Sequence, residues 1–205
     1  MQETPGAPLN ARERRKADTR QEIIEAGIKV FREKGYDGAS VGMITKEAQV
    51  SRATFYRHFT DLAELSIEIG TYPLPDVYAA LRAMARATTQ AELRAGVDAA
   101  VDAFRRKSTY LAVGFRASVS SARFLEEDVL IRERCIAIFA EETQQRPQPE
   151  RALAELRIAM LVDQLLYVCY EFLVRGRQAS VADLTDALTS FWAAELLLRR
   201  PVPLS

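Results

Sequence analysis

The chain is poor in the residues that most catalytic centres need: among its 205 residues there is one histidine, His58, and there are two cysteines, Cys135 and Cys169. No His/Cys cluster, glycine-rich phosphate loop or pair of carboxylates at a telling spacing occurs, so nucleophilic, acid–base and metal-assisted chemistry lack their usual groups. No enzyme activity, metal site or cofactor is expected. The two cysteines sit in helical text without metal-ligand spacing and read as inert small hydrophobes in a reducing cytoplasm. A bilayer-spanning segment is missing too. The longest apolar run, Ile158 to Val174, is broken by Asp163, Gln164 and Glu171, and no charged-then-apolar leader points to secretion, so a cytoplasmic protein without a membrane partner is expected. Nothing alternates with period two, so no sheet is expected, and no fixed-period repeat is evident.

What is present is the composition of a soluble globular protein, with 48% apolar and 27% charged residues and a Leu- and Ala-rich text that leans helical. The net charge of zero is unevenly spread. Up to residue 60 there are 11 Lys/Arg against 8 Asp/Glu, and beyond it 17 against 20, which favours an anionic partner for the front of the chain.

Punctuation divides the chain into a small head and a larger body, expected at 12–60 and 61–200. Residues 1 to about 11, with Pro5, Gly6 and Pro8, have no periodicity and are expected to form a tail. Ile23, Ile24, Gly27, Val30 and Phe31 then mark one face of a first helix, which ends at Gly35. Ser40 caps a short second helix with Val41, Ile44 and Ala48 on one side, Ser51 caps a third, and Asp61 with Glu64 starts a fourth. After Gly70, Pro73 and Pro75, longer helices are expected at about 76–87, 89–107, 109–119, 122–145, 150–175 and 180–200, with cap candidates at Thr89–Glu92 and Ser180–Asp183. The fold class is all-α.

Two helices of about two turns cannot stand alone in water and must lean on the first. A helix, a tight turn and a second helix is the geometry that presents the second helix to a DNA major groove. In "VSRATFYRHF", residues 50 to 59, Phe55 and Phe59 share a face and anchor the third helix. Arg52 is then free to reach guanine, small Ala53 allows close approach, and Arg57 points outward with it. Ser51, Thr54, Tyr56 and His58 offer donors to phosphate oxygens, as does Ser40 at the start of the second helix. The competing reading is a half-buried helix whose Tyr and His only satisfy local hydrogen bonds.

Residues 23 to 65 resemble the DNA-binding head of the TetR-type repressor family. The resemblance rests on Phe31, Lys34, Gly35 and Tyr36 at the end of the first helix, and on Val50, Ser51, Thr54, Phe55, Tyr56, His58 and Phe59 in the recognition segment. It implies a homodimeric repressor on a palindromic double-stranded operator, released by a small-molecule effector. Three positions depart from the family pattern: Gln49 where the turn usually has glycine, Gly42 in place of a polar or basic residue, and Leu62 where a lysine often opens the fourth helix. A left-handed Gln49 would carry about 1 kcal/mol of strain, and the other two remove charge, so a shallower salt dependence of DNA binding is expected. The basic run Arg12, Arg14, Arg15, Lys16 and Arg20 is either a minor-groove arm or the solvated start of the first helix.

In the body, Leu161, Leu165, Val168 and Phe172, then Val181, Leu184, Leu188, Phe191 and Trp192, give the last two helices apolar faces wide enough for a core and a partner. The resemblance implies that these helices make the homodimer; plain core is the alternative. It also implies a ligand cavity, for which Phe104, Tyr110, Phe115, Asp163, Tyr167, Tyr170 and Glu171, with Gln164, are candidate lining residues. With its only histidine in the head, the body has no imidazole for a metal-chelated effector. The contrasting expectation is a small-molecule-binding helical protein with weak or lost DNA binding.

Overall fold

The computed structural model describes residues 11–120 and 122–198. The expected tail before residue 11, and the end of the helix expected to reach 200, lie outside them. Among the described residues there are eleven α-helices and no strand.

The head contains α1 (Ala11–Lys34), α2 (Val41–Glu47) and α3 (Arg52–Tyr56), and α4 (Leu62–Thr71), expected to open the body, packs Leu65 and Ile69 into the same core and is described with it. The basic run forms the solvated first turns of α1, with Arg12, Arg14, Arg15 and Lys16 exposed. Gly35 ends α1 at φ 72°, the left-handed stop that favours glycine. The three short helices each begin on a side-chain cap: Ser40 accepts from Met43 N, Ser51 from Thr54 N and Asp61 from Glu64 N. Glu64 does not close a box on Asp61; its carboxylate accepts from the backbone and hydroxyl of Thr60 instead. Inside, Ile23, Val30, Phe31, Ile44, Phe55, Phe59, Leu65 and Ile69 form one core. Each such side chain contributes on the order of 1.5–3 kcal/mol by leaving water, which is what holds a five-residue helix in place. Gly27 sits where α1 and α4 meet, and a Cβ there would come within 2.9 Å of Leu65 Cδ2.

The body consists of α5 (Leu74–Arg86), α6 (Gln90–Arg106), α7 (Ser108–Ser120), α8 (Ala122–Ala137), α9 (Ala140–Gln144), α10 (Glu150–Leu173) and α11 (Val181–Leu196). Thr89 and Glu92 form the full capping box of α6, and Ser180 accepts from Asp183 N at the start of α11. The single helix expected over 122–145 is broken after Ala137. The break lets Phe139 drop into the core 5.0 Å from the Trp192 ring, and brings Arg146 to Glu195 at 2.6 Å. Leu81, Met84, Val97, Phe104, Ile158, Leu165, Leu188 and Trp192 belong to the body core. Cys135 and Cys169 are packed in it, and burial pushes their thiols up to about 11 and about 12, so both stay protonated and unreactive. No described helix is long and apolar enough to cross a membrane.

Two residues of α7 cross the boundary, with Tyr110 packed against the head core. Val113 of α7 is buried in the head core, so the head rests directly on α7.

Candidate nucleic-acid interface

The candidate interface is the α2–turn–α3 unit. Between the helices the chain reverses over Ala48 to Ser51, and Gln49 takes φ 55°, the strained left-handed state that its position requires. Val50 N donates to Thr45 O at 3.0 Å and closes the turn. Phe55 and Phe59, with ring centroids 5.8 Å apart, are both buried and fix the inner side of α3. The face opposite them is consequently outward.

Of the eight candidate contact residues, Ser40, Ser51, Arg52, Ala53, Tyr56 and Arg57 are exposed, while Thr54 and His58 are half-buried. Ser51 Oγ and Thr54 Oγ1 lie 2.9 Å apart, and Arg57 Nη2 donates to Thr54 Oγ1 at 3.2 Å. Tyr56 stands edge-on to Phe55 at 5.5 Å between centroids and keeps more than half of its surface in water. The Arg52 guanidinium turns toward Gly42 of the preceding helix. Its guanidinium has no ion-pair partner among the described residues. An exposed, unpaired guanidinium and a wet phenol on one short helix are groups whose hydrogen-bonding capacity is unspent.

The surrounding charges divide into free and neutralised. Arg20 pairs with Glu68 and lies 4.3 Å over the Phe59 ring, and Lys29 pairs with Glu47 at 2.6 Å. Arg15, Lys16 and Lys46 remain exposed without an ion pair among the described residues. Burial pushes the His58 imidazole below its ordinary value, and Arg20, Lys16 and Arg57 add to the effect, so the ring is neutral near pH 7. Its Nδ1 is buried without a hydrogen-bond partner.

The body candidates separate. Phe104 is inside the body core, Tyr110 stacks on Tyr72 at 4.6 Å in the seam between α4 and α7, and Asp163 is held by Arg132 in a two-pronged ion pair. Phe115, Tyr167, Tyr170 and Glu171 converge on one cleft beside the end of α1. Gln164 faces a different groove, between α10 and α11. Sequence reasoning missed Lys46, whose only signal is a basic residue in the last turn of α2, and it missed Val113 and Tyr72. Those two join head to body through contacts of long sequence separation, which periodicity does not report.

Residues 23–69 match the model of the bacterial regulatory proteins of the tetR family. The chain is 33% identical over 93 residues to the HTH-type transcriptional repressor DhaR of Mycobacterium sp. (strain GP1), a stretch covering 45% of this chain and 41% of that repressor. The match thus spans less than half the length of that relative. The TetR-family transcriptional regulator PfmR of Thermus thermophilus shares the fold, with a TM-score of 0.61 and 21% identity over 85% of this chain and 98% of that one. The transcriptional regulator FadR of Bacillus subtilis, solved with stearoyl-CoA, gives a TM-score of 0.64 at 16% identity, over 85% of this chain and 98% of that one.

Proposed function

We propose that this chain, whose residues 23–69 match the tetR family of bacterial regulatory proteins, is a homodimeric transcriptional repressor of that kind, acting on a palindromic operator and released by a small-molecule effector. The observation that carries this is α3: a five-residue helix pinned by Phe55 and Phe59, with Arg52, Tyr56 and Arg57 turned to solvent. Arg52 and Arg57 read base edges in the major groove. Ser40, Ser51, Thr54, Tyr56 and His58 hold phosphate oxygens, with Lys46 adding charge at the end of α2.

One head covers only a few base pairs, so the body supplies the second copy. α10 exposes Leu153, Leu156 and Met160, and α11 exposes Phe191, which lines one groove with Met160. Large apolar side chains at helical spacing on the last two helices support an isologous interface formed there. Effector binding in the body acts through the seam that joins it to the head. There Val113 enters the head core, Tyr72 stacks on Tyr110, and Lys107 caps the Tyr72 ring at 4.5 Å while bonded to Asp76 at 2.8 Å. A shift of α7 moves the head with it, and the two heads lose the spacing of successive grooves. The test is selection of bound DNA from a random pool. Enrichment of a palindrome with half-sites one helical turn or a multiple apart is expected; a pool that never enriches rejects the repressor and leaves a ligand-binding helical protein.

A further inference from the structure

The cleft at the head–body seam belongs to neither domain alone. Lys34 and the residues just after it form its head wall, Phe115 and Arg116 come from α7, and Tyr167, Tyr170 and Glu171 from the end of α10. Its volume is about 500 Å³, enough for a small organic molecule. The floor is aromatic: Phe115 and Tyr170 stack with centroids 3.7 Å apart and planes 8° from parallel, and Tyr167 leans in at 6.3 Å from Phe115. Three cations, Lys34, Arg116 and Arg175, line the cleft against two carboxylates, Asp37 and Glu171, so the balance is positive. Glu171 is occupied by Arg175 at 2.9 Å, whereas Arg116 and Lys34 are exposed and have no ion pair among the described residues. Arg116 also borders a second cavity of about 190 Å³ that runs under Phe31, Val113 and Leu173.

We propose that this cleft is the effector site and that its ligand is a small aromatic carboxylate. The ligand's ring lies on the Phe115–Tyr170 platform, where an offset stack is favourable, and its carboxylate takes a charge-assisted bond from Arg116, with Lys34 facing it across the cleft. A planar, neutral ligand would leave both cations unsatisfied, and an aliphatic anion would leave the aromatic floor unused. Because one cation is on α1 and the other on α7, the bound carboxylate ties the head to the body at a second point beside Val113. The consequence for DNA rests on the repressor reading above; the binding itself does not.

Calorimetry on the DNA-free protein tests it, with naphthoate as probe, naphthalenemethanol as its uncharged counterpart, and Arg116→Ala and Tyr170→Leu as variants checked for unchanged helicity. Naphthoate is expected to bind one per chain, with affinity falling at least about tenfold for the alcohol and for each variant. No binding of naphthoate at millimolar concentration, or equal affinity in wild type and Arg116→Ala, overturns the proposal. Operator affinity of the ligand-free protein is measured alongside. Operator binding without naphthoate binding rejects the cleft and keeps the repressor; naphthoate binding without operator binding keeps the cleft and rejects the repressor.

Discussion

The Arg52 guanidinium lies over the bare backbone of Gly42, so that a Cβ on residue 42 would stand 3.1 Å from Arg52 Nη2. The residue that deprives α2 of a side chain is therefore the one that gives the cation of α3 its place. Gly42→Ala brings a methyl group against the far end of a flexible side chain, which is cheap for the fold, and it replaces a first-turn glycine with a better helix former, so stability should rise by about 0.5 kcal/mol or less. Arg52 must move. The variant is expected to select an operator altered at the base pair that Arg52 reads, and Arg52→Ala to lose about 1–3 kcal/mol of preference there. An unchanged selected sequence for Gly42→Ala would mean that the placement of Arg52 is immaterial to recognition.

Gln49→Gly addresses the turn. With φ at 55°, Gln49 holds a state that costs a side-chain-bearing residue about 1 kcal/mol and glycine almost nothing. Thermal unfolding of the variant should move up by about 2–4 °C, less whatever the more flexible unfolded chain takes back. A melting point that falls would show that the strain is already relieved by the surrounding turn.

How much of this was legible in the sequence follows from the range of the contacts involved. Ser40, Ser51, Asp61, Thr89 and Ser180 act within three residues of themselves, and every one caps the helix that its position announces. Phe55 and Phe59 share a helical face, so their burial was legible as well. The break after Ala137 was not, because the contact it allows, Phe139 against Trp192, joins segments far apart along the chain. The same holds for the seam, where Val113 and the Tyr72–Tyr110 stack connect segments that carry no common pattern. Four of the seven body candidates meet in one cleft and three do not, since an aromatic on a helix face looks alike whether it faces a core, a neighbour or a ligand.

A phosphate contact of His58, as proposed above, would link DNA binding to pH. In the free protein burial and nearby cations hold its pKa below the ordinary 6.5, so its neutral form supports the fold above pH 6.5 and that support is lost as pH falls from there through the folded value. A phosphate beside the ring acts in the other direction, raising the pKa in the complex, so binding takes up a proton. Operator affinity should therefore rise as pH falls from about 8 to about 6. Fluorescence anisotropy on a labelled operator reads this directly. Since His58 is the only histidine in the chain, His58→Gln should flatten the profile, and a profile that stays steep assigns the proton elsewhere.

Phe191→Glu tests the second copy. Phe191 and Met160 are 55% and 63% exposed in the single chain, so a charge at 191 costs the isolated fold little. In a two-fold interface the same change appears twice and places two carboxylates against apolar surface. Sedimentation should show a monomer with unchanged helicity. Operator affinity should fall by about a hundredfold or more, because two heads no longer bind as one ligand. A dimer that survives the substitution puts the interface on another face.

Glu195 would connect that proposed interface to the interior. It is buried with Arg146, accepting from Arg146 Nη1 at 2.6 Å while its backbone carbonyl accepts from Nη2 at 3.2 Å, and its second carboxylate oxygen accepts from Arg157 Nε at 2.5 Å. Arg157 and Glu195 also line the groove that holds Met160 and Phe191. Removing the carboxylate by Glu195→Ala leaves Arg146 in the core with the backbone carbonyl at 195 and with Glu142 at 3.6 Å, and breaking a buried pair in this way costs about 3–5 kcal/mol. For a chain of this length that is a drop in melting temperature on the order of 10 °C. Replacing both partners with apolar residues, Arg146→Met with Glu195→Leu, should recover most of the loss in the fold, because no charge is then left without its counterpart. Both variants lose the Arg157–Glu195 bond at the groove, so both should dimerise more weakly than the wild type. Urea unfolding and sedimentation of the two variants separate these effects; a double variant that is both stable and as dimeric as the wild type would confine Glu195 to the core.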